Sequence, residues 1–170
     1  DLALVVMHEL ERVLPPVIYN RLCYVAVEPF PSKKKHLMER FANVDASRFR
    51  VVSRLHELAG SRGVLVANEF LDAMPVKRLR WRKGRWLQIC VANGEQKGVI
   101  FNEVEVPIEN LELARVADTL PLTLEDGFTI ELNMRLKGWF DDLAHAFEML
   151  YCCLIDYGLC GDEFFSPARK

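Results

Sequence analysis

The amino-acid sequence predicts an α/β fold in which helices connect short parallel strands. Short apolar runs that are typical of strands occur at 22–27, 49–53 and 63–67, and the run at 22–27 has the pattern of a strand buried on both faces. A stretch with helical periodicity lies between the first two runs. Because neighbouring parallel strands need a long connection, strand, helix and strand at this spacing indicate a parallel sheet with helical crossovers.

The N-terminal part of the chain supplies two helices. Apolar residues recur on one face of residues 1–14, which predicts a helix that ends at Pro15. A second helix is predicted over 33–43, with Ser32 as its N-cap. Its apolar side chains are expected to face the core, namely Leu37, Met38 and Phe41. No strand precedes the first helix, although a crossover helix needs one, so we expect a fragment of a larger domain.

After Pro75 the pattern changes to that of an antiparallel sheet. Apolar and charged residues alternate over 77–92 around Lys83-Gly84, which predicts a β-hairpin, and 99–106 is expected to add a third strand. Four further elements are predicted in turn: a helix at 109–118, a strand at 127–132, an amphipathic helix at 138–149 and a buried strand at 150–155.

The five cysteines predict buried thiols in a reducing compartment. None forms a CxxC pair, and three of them lie in apolar, strand-like runs, namely Cys23, Cys152 and Cys153. The four histidines lie far apart in sequence, and none has the spacing to a cysteine that a zinc site needs. We therefore expect no metal site.

Polar side chains follow three of the apolar strands where each strand ends. Glu28 follows the first, Asn68 and Glu69 follow the strand at 63–67, and Asp156 follows the last. In an open parallel sheet, ligands bind outside the carboxyl ends of the strands. A carboxylate such as Glu28 can accept hydrogen bonds from ribose hydroxyls there, or it can serve the start of the next helix without touching a ligand. The sequence leaves both interpretations open.

Glu69 and Asp72 are three residues apart, so a helical turn would put both carboxylates on one face. With the Asn68 amide they could hold a cation, and a guanidinium would suit them because its fork matches carboxylate oxygens. The alternative is structural: Asn68 caps a helix and Asp72 lies in its first turn. The local pattern alone favours the structural alternative.

The stretch from Lys77 to Trp86 holds six basic residues and two tryptophans. Such a stretch can bind nucleic acid or an acidic partner, or it can form a hairpin with one packed and one solvated face. The alternation favours the hairpin, and a net charge of -2 argues against a basic nucleic-acid binder, so we expect no nucleic-acid partner. No apolar run approaches the roughly 20 residues that span a bilayer, so we expect no membrane insertion.

Several blocks of the sequence together resemble the MidA family of S-adenosylmethionine-dependent methyltransferases. The most specific block is VANEFLDAMPV at 66–76, and VEP at 27–29 and LIDYG at 154–158 support it by order and spacing. The segments IELNMRLKGWF and GDEFFSPAR are also similar to family segments. The likeness runs from end to end of the chain.

The resemblance implies a Rossmann-like class I methyltransferase sheet with helices on both faces. Residues 77–106 would form a β-rich insertion that shapes the substrate groove. The first strand of the family pattern and the glycine-rich loop that follows it are missing from this sequence. Residues 1–170 are therefore expected to be a fragment of one methyltransferase domain that is truncated at both ends.

The resemblance also implies S-adenosylmethionine as cofactor and assigns residues to it. Glu28, with its neighbour Pro29, would bind the ribose, and Ser53, Arg54 and Leu55 would lie near the adenine. Asn68 would flank the methionine end of the cofactor. Asn68, Glu69 and Asp72 would form the catalytic group at the substrate entrance.

Mitochondrial members of the family are complex I assembly factors that methylate an arginine of a complex I subunit. The resemblance thus implies protein arginine methylation linked to respiratory complex I assembly, with a protein substrate. The location would be cytoplasmic in a bacterium and the mitochondrial matrix in a eukaryote. The sequence leaves open whether the chain forms a homodimer.

Two other functions stay open. The chain could be a non-catalytic protein-binding module that keeps the fold but has lost cofactor binding, which the missing glycine-rich loop favours. RNA binding through Lys77 to Trp86 is the weaker alternative, and it would show a steep loss of affinity with salt.

Overall fold

The computed structural model describes residues 2–94, 100–121, 124–159 and 161–166. The chain divides into two compact units, which are described separately. The first consists of residues 1–63 and 141–150, and the second of residues 64–140 and 151–170. None of the helices in the described part of the chain is long and apolar enough to cross a bilayer.

The first unit contains the strand, helix and strand that the sequence predicts. Its elements are α1 (Leu2–Val13), α2 (Pro16–Tyr19), β1 (Tyr24–Val27), α3 (Pro31–Arg40), β2 (Phe49–Val52) and a 3₁₀ helix (Leu55–Leu58). β1 and β2 pair in parallel with Val27 opposite Val52, so α3 is the crossover between them. A small core forms around Phe41 and Phe49, whose ring centroids stack 3.9 Å apart.

Helix α3 starts differently from the prediction. Pro31 is its first residue and Phe30 precedes it without a side-chain cap, so the predicted N-cap at Ser32 is wrong. Proline suits this position because the first N–H of a helix has no partner within the helix. Leu37 packs against the core, whereas Met38 is 57% exposed, because adjacent residues on a helix point about 100° apart.

The predictions of buried strands and buried thiols are wrong. The run at 22–27 gives β1, which is half-buried with Val27 exposed, and the run predicted as a buried strand at 150–155 is mostly exposed. The thiols of Cys23, Cys152 and Cys153 are exposed too. On α1 the predicted apolar face is also open, with Leu2 53% exposed. The physical reason is the size of the sheet, since a two-stranded sheet leaves an edge of each strand open and offers few side chains to cover it.

The second two-stranded sheet pairs β3 (Ser61–Asn68) with β8 (Phe147–Ile155). β8 follows directly on α5 (Leu136–Ala146), so the predicted helix over 138–149 ends three residues early. Phe147 therefore belongs to a strand. The apolar run there suits either a helix or a strand, and pairing with β3 decides between them.

The second unit is built on a four-stranded antiparallel sheet. Its elements are β4 (Lys77–Arg82), β5 (Arg85–Asn93), β6 (Phe101–Val106), α4 (Leu111–Ala117), β7 (Thr129–Leu132) and α6 (Gly161–Phe164), and the strand order is β6-β5-β4-β7. The predicted hairpin is confirmed. Lys83 and Gly84 have φ values of 48° and 82°, and positive values at both positions are what a two-residue type I′ turn needs.

One face of this sheet forms the larger core of the protein. Leu79 and Ile130 lie opposite each other on β4 and β7 and are fully buried, as is Leu113 of α4. Trp81 and Trp86 join them, and α4 starts at Asn110, whose side chain accepts the Leu113 N–H. The predicted third strand is confirmed from Phe101 onward, while residue 99 lies outside the described residues.

The structure thus confirms a mixed α/β architecture with parallel and antiparallel pairing. In the part of the chain that the structure describes, the strands form three sheets. A single Rossmann-like sheet with helices on both faces stays a prediction, as does the status of 77–106 as an insertion. β7 belongs to the same sheet as that segment.

Candidate functional site

The carboxyl ends of β3 and β8 lie side by side in the second unit. The N–H of Glu69, directly after β3, donates to the carbonyl oxygen of Ile155, the last residue of β8, at 2.8 Å. The residues that follow the two strands are therefore neighbours. This edge brings Asn68, Glu69 and Asp72 together with Asp156 and Tyr157, which are close in space although far apart in sequence.

Asp156 binds the backbone of the segment that follows β3. Its Oδ2 accepts the N–H of Leu71 at 2.9 Å and of Asp72 at 3.3 Å, and its Oδ1 accepts the N–H of Tyr157 at 3.0 Å. No helix forms at this point: Asn68 ends β3, and Glu69 adopts a φ of 47°. The structural alternative, with Asn68 as a helix N-cap, is therefore wrong. The helical turn expected to put Glu69 and Asp72 on one face is wrong as well. A positive φ is uncommon for a residue with a Cβ, and flanking hydrogen bonds fix it here.

Tyr157 binds the side chain of Asp72. Its hydroxyl donates to Oδ2 of Asp72 at 2.7 Å, while the residue as a whole is 75% exposed. The hydrogen bond to Asp72 raises the pKa of Tyr157, and the negative charges of Asp72, Asp156 and Glu69 act in the same direction. Tyr157 therefore stays neutral and remains a donor at physiological pH.

Two polar side chains at this edge keep their acceptors free. Among the described residues, no hydrogen bond or ion pair engages the carboxylate of Glu69 or the amide of Asn68, and both residues are exposed. Within the described residues, the carboxylate of Asp72 accepts a hydrogen bond through Oδ2 alone. The edge thus offers carboxylate oxygens to a ligand that donates several N–H groups.

In the first unit, Glu28 lies where β1 and β2 end. Its N–H donates to the carbonyl oxygen of Val52 at 2.9 Å, and its Oε1 accepts the N–H of Phe30 at 2.9 Å across Pro29. Glu28 therefore supports the turn into α3, as its structural interpretation predicts. Within the described residues nothing binds Oε2, so the same carboxylate can still accept a ligand.

A shallow cavity of about 460 Å³ opens beside Glu28. The other residues that line it come from the first turns of α3, namely Ser32, Lys33, His36 and Leu37. The cavity is wide open to solvent.

Ser53 and Arg54 follow β2 and form a tight turn. Their N–H groups both donate to Oε1 of Glu57, at 2.7 and 2.9 Å, and these bonds, led by that from Ser53, hold the pKa of the Glu57 carboxyl below its usual range. Lys34 donates to the Ser53 hydroxyl at 3.1 Å, and Leu55 begins the 3₁₀ helix. The sequence pattern did not lead us to Glu57, although an acid three residues after the N-cap residue, here Arg54, is a known capping signal.

The predicted site residues thus form two groups, one in each unit. The first group is Glu28, Pro29, Ser53, Arg54 and Leu55, and the second is Asn68, Glu69 and Asp72. Their assembly around one ligand stays a prediction. In the described part of the chain, no three His, Cys, Asp or Glu side chains are arranged to hold a metal ion.

The basic stretch from Lys77 to Trp86 forms the predicted hairpin with two unlike faces. Its tryptophans are buried, and the arginines of β4 on the other face bind glutamates of β6. Hydrogen bonds from Arg82 and Arg80 lower the pKa of Glu105 to about 2. Arg78 likewise binds Glu103. These arginines already have carboxylate partners within the sheet.

Comparison with known proteins identifies the family. Residues 1–167 match the profile of a family described as "Putative S-adenosyl-L-methionine-dependent methyltransferase". No curated protein matches the chain.

Two similar solved structures are both from Burkholderia thailandensis. One is described as a "likely methyl transferase" bound to S-adenosyl-homocysteine, with a TM-score of 0.67 and 21% identity over 86% of this chain. The other is a native structure of an uncharacterized protein, with a TM-score of 0.66 and 22% identity over 84% of this chain. This chain spans 37% of the length of each, and at these identities the likeness shows a shared fold. Since the family profile covers nearly all of its length, the chain belongs to this family of S-adenosylmethionine-dependent methyltransferases.

Proposed function

We propose that the chain is part of a methyltransferase that transfers a methyl group from S-adenosylmethionine to an arginine side chain of a protein. Family membership supports the reaction class. The observation that carries the choice of acceptor is the edge of β3 and β8, where Glu69 and Asp72 keep free carboxylate oxygens close to Tyr157.

The residues of the first unit fit the cofactor. Glu28 presents the free oxygen Oε2 at the carboxyl end of a parallel strand, which is where a carboxylate can accept hydrogen bonds from ribose hydroxyls. Ser53, Arg54 and Leu55 follow the neighbouring strand and would border the adenine. Asn68 would contact the methionine end. S-adenosylmethionine supplies a methyl group made reactive by its positively charged sulfur.

The carboxylates of the second unit would orient the acceptor. A guanidinium is planar and donates N–H groups in a fixed fork, so Glu69 and the free oxygen of Asp72 can hold it in one orientation. Their negative charge would also favour positive charge on the nitrogens that do not react. Alignment of the nitrogen with the methyl group is then the main contribution of the protein.

The resemblance to MidA proteins supports a narrower proposal, in which the substrate is a subunit of respiratory complex I. The protein would then act in the cytoplasm of a bacterium or in the mitochondrial matrix of a eukaryote. The paired arginines of β4 give no support to the RNA-binding alternative.

The test is methyl transfer from labelled S-adenosylmethionine by the full-length protein, with amino-acid analysis of the product for methylarginine. We expect Glu69→Gln to lower turnover by about tenfold to a hundredfold, because it removes a charge-assisted contact to the acceptor. Glu109→Gln is the matched control, since Glu109 is exposed in the same unit. Equal turnover of Glu69→Gln and the wild type would remove Glu69 from the mechanism. Absence of methylarginine with the wild type would refute the acceptor.

A further inference from the structure

We propose that Asp156 and Tyr157 are positioning residues for the proposed acceptor site. Asp156 would fix the path of the segment from Glu69 to Asp72, and Tyr157 would fix the carboxylate of Asp72. This inference rests on the proposed function, because it assigns a task within that site.

The contacts of Asp156 support its part of the proposal. Both of its carboxylate oxygens accept backbone N–H groups, two from the segment after β3 and one from Tyr157. Hydrogen bonds to an ionised carboxylate belong to the stronger class. β8 pairs with β3, and Asp156 directly follows β8. Its hydrogen bonds therefore attach the segment after β3 to the end of the neighbouring strand. The positions of Glu69 and Asp72 therefore depend on Asp156.

The contacts of Tyr157 support the second part. Tyr157 is 75% exposed, so it adds little to a hydrophobic core. Its hydroxyl holds Oδ2 of Asp72 at 2.7 Å, and this bond sets the direction in which the other oxygen points. Tyr157 thus leaves one oxygen of Asp72 for the acceptor and restricts its rotation.

Asp156 and Tyr157 would hold the site in place, whereas Glu69 and Asp72 would contact the acceptor. The carboxylate of Glu69 has no hydrogen-bond or ion-pair partner among the described residues, so it is available to the guanidinium. Both oxygens of Asp156 already accept backbone N–H groups, so its carboxylate serves mainly the backbone. Support of this kind matters because functional side chains act only when neighbouring groups hold them in place.

The experiment uses Asp156→Asn and Tyr157→Phe in the full-length protein. Asparagine has a single side-chain oxygen, so it cannot accept the N–H groups of the segment after β3 and of Tyr157 as the two oxygens of Asp156 do. Its NH₂ group would instead face backbone N–H groups. We expect the Leu71 and Asp72 amides to exchange with solvent about tenfold faster in Asp156→Asn, in line with the loss of one charge-assisted hydrogen bond. Asp118→Asn is the control, since it makes the same change at an exposed position of the second unit.

Comparing kcat with the Kd for S-adenosylmethionine distinguishes a positioning role of Asp156 and Tyr157 from a purely structural one. In both variants we expect kcat for methyl transfer to fall about tenfold while the Kd for S-adenosylmethionine stays unchanged. Tyr151→Phe, at a tyrosine 70% exposed on β8, should leave kcat unchanged. If Asp156→Asn does not fold, the kcat of Tyr157→Phe still tests the positioning role.

Unchanged amide exchange in Asp156→Asn, or unchanged kcat in Tyr157→Phe, would overturn the positioning role in an otherwise active enzyme. Absence of methyl transfer by the wild type would instead refute the proposed function, and the positioning role with it. The two failures are therefore distinguishable.

Discussion

Helix α4 allows a sharp test of how the second unit packs. Leu111 and Leu113 lie two residues apart on this helix, yet Leu113 is 1% exposed and Leu111 is 76% exposed. The same substitution, leucine to alanine, can therefore be made on the buried and on the exposed face.

The magnitude follows from the side chain that is removed. Leucine to alanine deletes three carbon atoms, worth about 0.8 kcal/mol each in lost burial, and leaves a cavity that adds to this cost. We expect Leu113→Ala to lower the free energy of unfolding by about 2.5–5 kcal/mol. Leu111→Ala should change it by less than about 0.5 kcal/mol, as exposed substitutions usually do.

The assay is urea unfolding followed by tryptophan fluorescence. Trp81 and Trp86 belong to the same core cluster as Leu113, with ring centroids 5.2 Å apart, and they report on this unit. A Trp139→Phe background removes the tryptophan that lies outside this cluster. Equal losses for Leu113→Ala and Leu111→Ala would show that α4 does not pack on the sheet as described.

Three further predictions concern pH and the backbone. The hydrogen bond from Arg82 is the main reason that the pKa of the Glu105 carboxyl is lowered from 4.5 to about 2. The stabilisation that Glu105 contributes is therefore fully present above about pH 4.5 and is lost as the pH falls through about 2. In Glu105→Gln, acid unfolding should lack this loss of stability. Gly84→Ala should cost about 1 kcal/mol in urea unfolding, because nothing crowds a Cβ there but the φ of 82° disfavours one. The pKa of Tyr157 is raised above 10.0, so its hydrogen bond is present below that pH and is lost as the pH rises through the raised value; Asp72→Asn should bring the pKa, measured by NMR, back towards 10.0.

The elements that the sequence predicts correctly carry their signal within a few residues. The hairpin of β4 and β5 is marked by Lys83-Gly84 between alternating runs, and both residues adopt the conformation that the turn needs. Helix α4 lies within the predicted range 109–118, and Asn110, a capping residue that the prediction did not use, precedes it. Such signals depend on neighbours along the chain, so periodicity and turn chemistry suffice to find them.

The features that the sequence does not predict depend on distant partners. The junction of α5 and β8 at Phe147 lies inside an apolar run, and only pairing with β3 makes the second part a strand. β7 joins β4 through Leu79 and Ile130, which no local pattern connects. β1 is less buried than its apolar run predicts, because the run does not show how many strands lie beside it.

In the candidate site, too, the sequence indicates features with a local signal and misses those that depend on distant residues. Strand-end positions indicated Glu28, Asn68 and Glu69 as residues of interest, because each apolar run ends in a polar group. The hydrogen bond from Leu71 to Asp156 joins residues 85 positions apart, so its effect on the segment after β3 could not be read from the sequence. The helix expected there as the structural alternative is replaced by a turn anchored to β8.

The most direct test of the account is binding of S-adenosylmethionine to the full-length protein, measured by titration calorimetry. Glu28→Gln can keep the hydrogen bond to Phe30 through its amide oxygen, and it puts an NH₂ group where the free oxygen lies. We predict saturable binding by the wild type and a Kd about tenfold higher in Glu28→Gln, the effect of losing about 1.4 kcal/mol of hydrogen bonding. Absence of binding by the wild type would contradict the methyltransferase account and favour the non-catalytic protein-binding module, and an equal Kd in Glu28→Gln would contradict the role of Glu28.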